Sequence, residues 1–274
     1  MKKFQILFLG FILIGMSIQA QNLYIRAGLG VAVSTAASYT NDYSYGSSNN
    51  YTLTSKKQGL GTGLPFIVAV GYNLNEHFAL ELGIDYFYGF SNNQKMESNN
   101  STWDYNRKWH GQMLSLVPAF VMSLPLDKFK PYARLGLKVG ILNSVVSTTH
   151  EVDSYPEKST TAIETDSKVK LYGGIAIGAQ AAVGTDFILS DWISLFGEIQ
   201  IDGISYAPKH GKVTEYTENG VDKMGTRTVN QNQWDYLKVT DNPKSIPNDQ
   251  PNEFNKINEQ FGNVGLVLGV KINL

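Results

Sequence analysis

Apolar residues recur at every second position over most of the chain beyond residue 20. Leu23, Ile25, Ala27, Leu29, Val31 and Val33 fall on one parity, with Tyr24, Arg26, Gly28, Gly30 and Ala32 on the other. Leu64, Phe66, Val68, Val70, Tyr72 and Leu74 repeat the pattern, as do Phe78, Leu80, Leu82, Ile84, Tyr86 and Tyr88. Alternation of this kind is the mark of a strand whose two faces meet different surroundings, because successive side chains point to opposite sides. Five further segments share it: Trp109 to Leu124, Pro131 to Leu142, Lys170 to Gly184, Ile193 to Tyr206 and Asn263 to Leu274. No helical stripe with caps interrupts them, so the pattern predicts an all-β chain of eight strands.

The connections sharpen this reading. Those after the second, fourth and sixth strands are short, around Asn75, Leu126 and Ser190, whereas those after the first, third, fifth and seventh are long and polar. Strict alternation of short and long hairpins is the habit of a membrane barrel, and most of the strands are long enough to cross a bilayer when tilted. Charge supports it. With the apolar parity given to lipid, Arg26, Glu81, Asp85, Arg134, Lys138, Glu198, Asp202 and Lys271 all lie on the other parity, four basic and four acidic. A charge facing lipid at mid-membrane costs about 2–4 kcal/mol, so their common placement predicts a polar lumen with small residues making room for long ones. The architecture expected is an eight-stranded antiparallel up-and-down transmembrane β-barrel.

Composition narrows the function. The 274 residues include no Cys and carry a net charge of -1, which excludes disulfides and thiolate metal sites and argues against a nucleic-acid surface. Lys2 and Lys3 precede an apolar run from Phe4 to Ile18, and Ala20 is a fitting cleavage residue. Residues 1–20 therefore read as an export signal peptide and 21–274 as the barrel domain with four long extracellular loops. An exported chain without cysteine suits the bacterial envelope.

The segments Gly71-Tyr72-Asn73 leading to Leu80-Glu81-Leu82-Gly83-Ile84-Asp85-Tyr86, then Lys130-Pro131-Tyr132, Leu195-Phe196-Gly197-Glu198 and the closing Val270-Lys271-Ile272-Asn273-Leu274, carry a family likeness. In order and spacing the chain resembles the OmpA/OmpX-type eight-stranded outer-membrane barrels, the group that includes porin-family and outer-membrane β-barrel domain proteins. The resemblance implies a monomer in the outer membrane of a Gram-negative bacterium, in contact with lipid and lipopolysaccharide and inserted by the barrel-assembly machinery. Members commonly end on an aromatic residue that this machinery reads, whereas this chain ends on Leu274. The peptidoglycan-tethering role of longer relatives is not implied.

Three kinds of candidate chemistry follow. The inward charges Arg26, Glu81, Asp85, Arg134, Lys138, Glu198, Asp202 and Lys271 form either a set of buried ion pairs that fills the bore or, by the resemblance, a gate that opens by exchanging partners. His77, His110, His150 and His210 make no metal-binding spacing, and Ser115 and Ser123 have no histidine at a suitable offset, so no cofactor, metal or catalytic group is expected. The long loops remain. Loop one, Ser34 to Leu60, holds Tyr39, Tyr43, Tyr45 and Tyr51; loop four, about Ala207 to Asn258, holds Trp234, Tyr236, Pro243, Pro247 and Pro251. They suit either an extracellular ligand or solvated cover. Aromatic girdles are expected from Tyr72, Phe78, Phe129, Phe187 and Trp192 at the short-turn end and from Tyr86, Tyr88, Phe90 and Trp109 at the other. The functions left are a non-enzymatic scaffold for surface loops, a small passive pore and, last, an envelope enzyme acting on lipid A or peptides. On this parity Leu266→Arg blocks membrane assembly and Gly265→Ala is milder; equal surface yield of the two variants would contradict the assignment.

Overall fold

The computed structural model describes residues 22–35, 38–45, 51–98, 103–153, 162–237 and 246–274; the expected signal peptide, Pro243 and the side chains of Tyr39, Tyr45 and Tyr51 lie outside the described part. Among the described residues seventeen strands, β1 to β17 in chain order, form one sheet. Eight of them make the wall: β1 (Leu23–Ser34), β4 (Gly63–Asn73), β5 (Phe78–Gly89), β7 (Trp103–Ser123), β8 (Phe129–Asp153), β10 (Ala176–Ser190), β11 (Ile193–Tyr206) and β17 (Asn263–Asn273). Each pairs antiparallel with the next. β17 then returns to β1, from Tyr24↔Asn273 to Ser34↔Asn263, so the eight wall strands close into a barrel.

Exposure alternates as the apolar pattern does. In β5 every second residue from Phe78 is exposed and every second from Ala79 is buried. Leu29, Val68, Leu82, Leu137, Ile199 and Leu266 stand on the outer surface, a band of large apolar side chains that only lipid can cover. Phe78, Phe129, Phe187 and Trp192 end this band on the short-turn side, and Tyr86, Tyr88 and Phe90 on the other. Trp109 departs from the girdle expected of it. It shares the inward parity of Gly111 and Met113 and packs against buried apolar residues inside the barrel's long-loop end.

The structure corrects three boundaries. β7 and β8 run well past the predicted ends, to Trp103 and Asp153. A bulge explains how β8 can do so: Leu114 pairs with Leu142 but Ser115 with Gly140, so Ile141 is extra, Ile141 and Leu142 are both exposed, and the inward parity shifts to Asn143, Val145 and Ser147. The sixth predicted strand is two strands, β9 (Ile163–Tyr172) and β10, divided at Gly173 and Gly174 with φ of 72° and 80°. A side chain at Gly174 would also meet the Ala207 carbonyl oxygen at 2.2 Å, so glycine is required there on both counts.

The long connections are largely sheet rather than irregular loop. β2 (Ser38–Tyr45) and β3 (Tyr51–Gln58) form a hairpin, and β6 (Asn92–Ser98) bridges β2 to the outer half of β7. On the other side β9 extends β8, β12 (His210–Glu218) extends β9, and β14 (Gln233–Leu237) and β15 (Asn252–Asn255) continue from β12. Most residues of these strands are half-buried or exposed rather than buried. Ser, Thr, Lys and Asn therefore replace the apolar parity, and a search for alternating hydrophobicity passes over them.

Leu266 is half-exposed on the lipid face, so a charge there costs about 2–4 kcal/mol at mid-membrane. Gly265 is a poor control, because a Cβ would meet the Val31 carbonyl oxygen at 2.8 Å and Ala32 Cβ at 2.9 Å. Gly203, with nothing within 4 Å of an added Cβ, is the better one. Leu266→Arg is expected to lose the heat-modifiable gel shift of the folded barrel and Gly203→Ala to keep it; retention by both would contradict a lipid-facing Leu266.

Candidate functional site

The bore is filled in tiers. At the short-turn mouth Lys271 Nζ donates to Asp186 Oδ2 at 2.8 Å and lies 4.2 Å from the centre of the Tyr24 ring. Above it stands the densest cluster. Glu198 accepts three hydrogen bonds, from Arg26 Nη2 at 2.6 Å, Arg134 Nη2 at 2.6 Å and the Tyr132 hydroxyl at 2.7 Å. Glu81 accepts from the Tyr24 hydroxyl at 2.7 Å and from Arg26 Nη1 at 3.5 Å. The Arg26 guanidinium also sits 4.1 Å above the Phe196 ring, which gives the cation a second, apolar contact.

Two glutamines join this cluster to the next. Gln180 accepts from Arg134 Nη1 at 2.5 Å and donates to Asp85 Oδ2 at 2.7 Å. Gln200 accepts from Arg134 Nη2 at 3.2 Å and donates to Asp202 at 3.2 Å. Each amide thus turns its oxygen to the cation and its nitrogen to a carboxylate, the only orientation that serves both neighbours. In the upper cluster Lys138 Nζ donates to Asp202 Oδ2 at 2.6 Å and Asp85 Oδ2 at 3.2 Å. Lys138 and Glu198 side chains are 3% and 0% exposed, so these are ions removed from water and held by neighbours of opposite sign.

An apolar layer closes the long-loop end. Ala32, Phe87, Met113, Val145, Ala176, Ile204 and Tyr206 point inward from six wall strands, and Leu60 and Phe261 fold into the space between them from the connections before β4 and β17. Phe261 meets Phe87 and Tyr206 edge to face, at 6.3 Å and 6.2 Å between ring centres.

All eight inward charges predicted from parity lie inside the wall, and seven of them meet in the two clusters joined by the glutamines. Lys271 stands apart at the mouth with Asp186, a residue that sequence reasoning missed by ending the sixth strand at Gly184. Extended by two residues, the same parity points Asp186 inward. Lys130 occupies the inward parity of β8 at the same mouth, so the bore holds Arg26, Lys130, Arg134, Lys138 and Lys271 against Glu81, Asp85, Asp186, Glu198 and Asp202 and remains neutral. The apolar layer was also missed. Phe87, Met113 and Ile204 on the inner parity were its signal, and they do not fit a wholly polar bore.

Elsewhere, His150 Nδ1 lies 2.8 Å from Asp166 and 3.9 Å from Glu164, and the hydrogen bond to Asp166 holds its imidazole above the usual pKa. Their ligand atoms lie within 4.8 Å of one another, the one such group among the described residues, and the His150–Asp166 hydrogen bond ties two of the three together. Ser115 Oγ is buried with no hydrogen-bond partner, and Ser123 Oγ lies within hydrogen-bond distance of the backbone carbonyls of Glu76 and His77, so neither is joined to a base.

The network is not uniformly tight. Glu81 Oε2 and the Nε atoms of Arg26 and Arg134 have no hydrogen bond, and Arg134 Nε is 3.8 Å from Glu81. Glu198→Gln is therefore expected to destabilise the barrel by about 3–5 kcal/mol and Glu81→Gln by clearly less, in urea unfolding of the lipid-inserted protein. Because the pairs are buried, the difference should hardly change with added salt; equal losses for the two variants would contradict the unequal anchoring.

The sequence model of the OmpA-like transmembrane domain family matches residues 18–214. That stretch contains seven of the eight wall strands, the eighth being β17. No curated protein matches the chain.

Proposed function

The chain belongs to the OmpA-like transmembrane domain family, and from that membership and the filled bore we propose a non-enzymatic, non-conducting scaffold in the outer membrane of a Gram-negative bacterium. Its barrel carries a polar sheet outside the cell, where that sheet serves envelope integrity or contacts a partner. In this reading the protein is a monomer whose apolar band meets lipid and lipopolysaccharide, and the barrel-assembly machinery inserts it.

One observation carries the proposal: two sealing devices lie in series across the bore. Paired ions cross it in the lower half and the Leu60–Phe261 layer fills the upper end. An ion entering would have to break pairs in a low-dielectric interior and then pass an apolar barrier, and neither step is helped by surrounding water. Rigid walls also favour display. β7 and β8 continue without interruption from the wall into the outer sheet, so the outer strands are positioned by the barrel itself.

The competing pore reading predicts a steady current. Reconstituted in a planar bilayer, the purified barrel is expected to leave the membrane closed at neutral pH, while Phe261→Ala together with Leu60→Ala, which opens only the upper seal, is expected to remain closed because the ion pairs still block the passage. Stable unitary conductance of the unaltered protein would overturn the scaffold reading in favour of a pore.

A further inference from the structure

Above the apolar layer the outer sheet encloses a cleft of about 440 Å³. Tyr105 and Trp109 of β7 line one side and Trp234 and Tyr236 of β14 line the other. None of the four rings is fully buried, so they keep free surface toward the cleft. Two charged groups stand among them. Arg107 donates from Nε to Ser147 Oγ at 2.8 Å and lies 5.4 Å from the centre of the Trp109 ring, and neither contact neutralises its charge. Glu259, in the short strand β16 (Glu259–Gln260), accepts no hydrogen bond and joins no ion pair among the described residues. Burial pushes the Glu259 carboxyl above its ordinary pKa, and the charge of Arg107 draws it partly back, which places the two groups within electrostatic reach.

The Arg107 guanidinium is exposed, whereas Glu259 is half-buried with no salt bridge, and a carboxylate so placed is costly to keep charged. Inside the barrel below, Arg26, Arg134, Lys138, Glu198 and Lys271 are each held by a partner of opposite charge. A ligand that returns this cost carries both signs on a small apolar body, so that its carboxylate meets Arg107, its ammonium meets Glu259 and its hydrocarbon lies between the rings. A neutral sugar would use the rings but leave both charges unmatched, and a simple cation would be repelled by Arg107. We propose that this cleft binds a zwitterionic small molecule of the amino-acid or short-peptide class. The inference rests on the surface-display reading only in placing the cleft outside the cell, and because binding is read in micelles, its failure leaves the conductance result untouched.

The test is calorimetric titration of the full chain refolded in detergent micelles, with L-leucine and leucyl-leucine as probes for the two sources. Leucinamide lacks the carboxylate, N-acetyl-leucine lacks the amine, and methyl glucoside is the neutral control. Saturable binding of L-leucine or leucyl-leucine is expected, about tenfold tighter than that of either singly charged analogue. Arg107→Gln should abolish the preference for L-leucine over leucinamide, and Glu259→Gln the preference over N-acetyl-leucine, with both variants retaining the gel shift of the folded barrel. Saturable binding of neither zwitterion, equal affinity for all three leucine compounds, tighter binding of methyl glucoside, or preferences unmoved by both substitutions would each overturn the assignment.

Discussion

Hydrocarbon offers no partner to a backbone N–H or carbonyl, and that single deficiency governs this molecule. A chain that crosses it in strands must bond each strand to another on both sides, which forces the sheet to close. Here the closing pair is β17 with β1, eleven residues in register. Closure creates an inside, and an inside that excludes lipid is the only place where Arg26, Glu81, Arg134 and Glu198 can stand at the depth of the membrane. The parity of the sequence, the position of its charges and the filling of its bore are therefore consequences of one requirement.

How the bore is filled decides what the barrel can do. Eight strands leave room for side chains but little more, and this chain uses the room in two ways. Its lower part is an electrostatic lattice in which the Gln180 and Gln200 amides connect one set of ions to the next. Its upper part is an aromatic and aliphatic layer closed by two residues, Leu60 and Phe261, that belong to connections rather than to wall strands. Buried ion pairs are weak evidence for net stability, since removing two ions from water costs several kcal/mol each. Their value is in specificity: a register slip of one residue would turn Lys138 and Asp202 outward to lipid, so the lattice penalises every wrong pairing of the wall.

The wall was legible in the sequence because lipid imposes a two-residue period that soluble surroundings do not. β11 was read at its observed limits, Ile193 and Tyr206, and the eight charges were placed on the correct side. What was not legible falls where that imposed period stops. The outer strands β2, β3, β6, β9 and β12 are mostly half-buried or exposed, and in their Ser-, Thr- and Lys-rich sequences only Val169 and Leu171 of β9 mark an inner side. The bulge at Ile141 reverses parity in mid-strand, and the Gly173–Gly174 break divides what reads as one segment. Asp186 was lost to a boundary two residues short, and the cleft lined by Trp109 and Trp234 joins residues 125 positions apart, which no local pattern records.

The central claim is that the inner parity faces a packed, dry interior rather than a water-filled one. The chain has no native cysteine, so single cysteines at Ile199, Gln200 and Ile201 on β11 can each carry a nitroxide in the lipid-inserted barrel. Collision rates with oxygen, which partitions into hydrocarbon, and with a water-soluble nickel complex then report the surroundings of each site. The account predicts frequent oxygen collisions at 199 and 201, few at 200, and negligible nickel collisions at all three. High nickel accessibility at 200 would show a wet bore, and high oxygen accessibility there would show that the two faces of the wall are assigned the wrong way round.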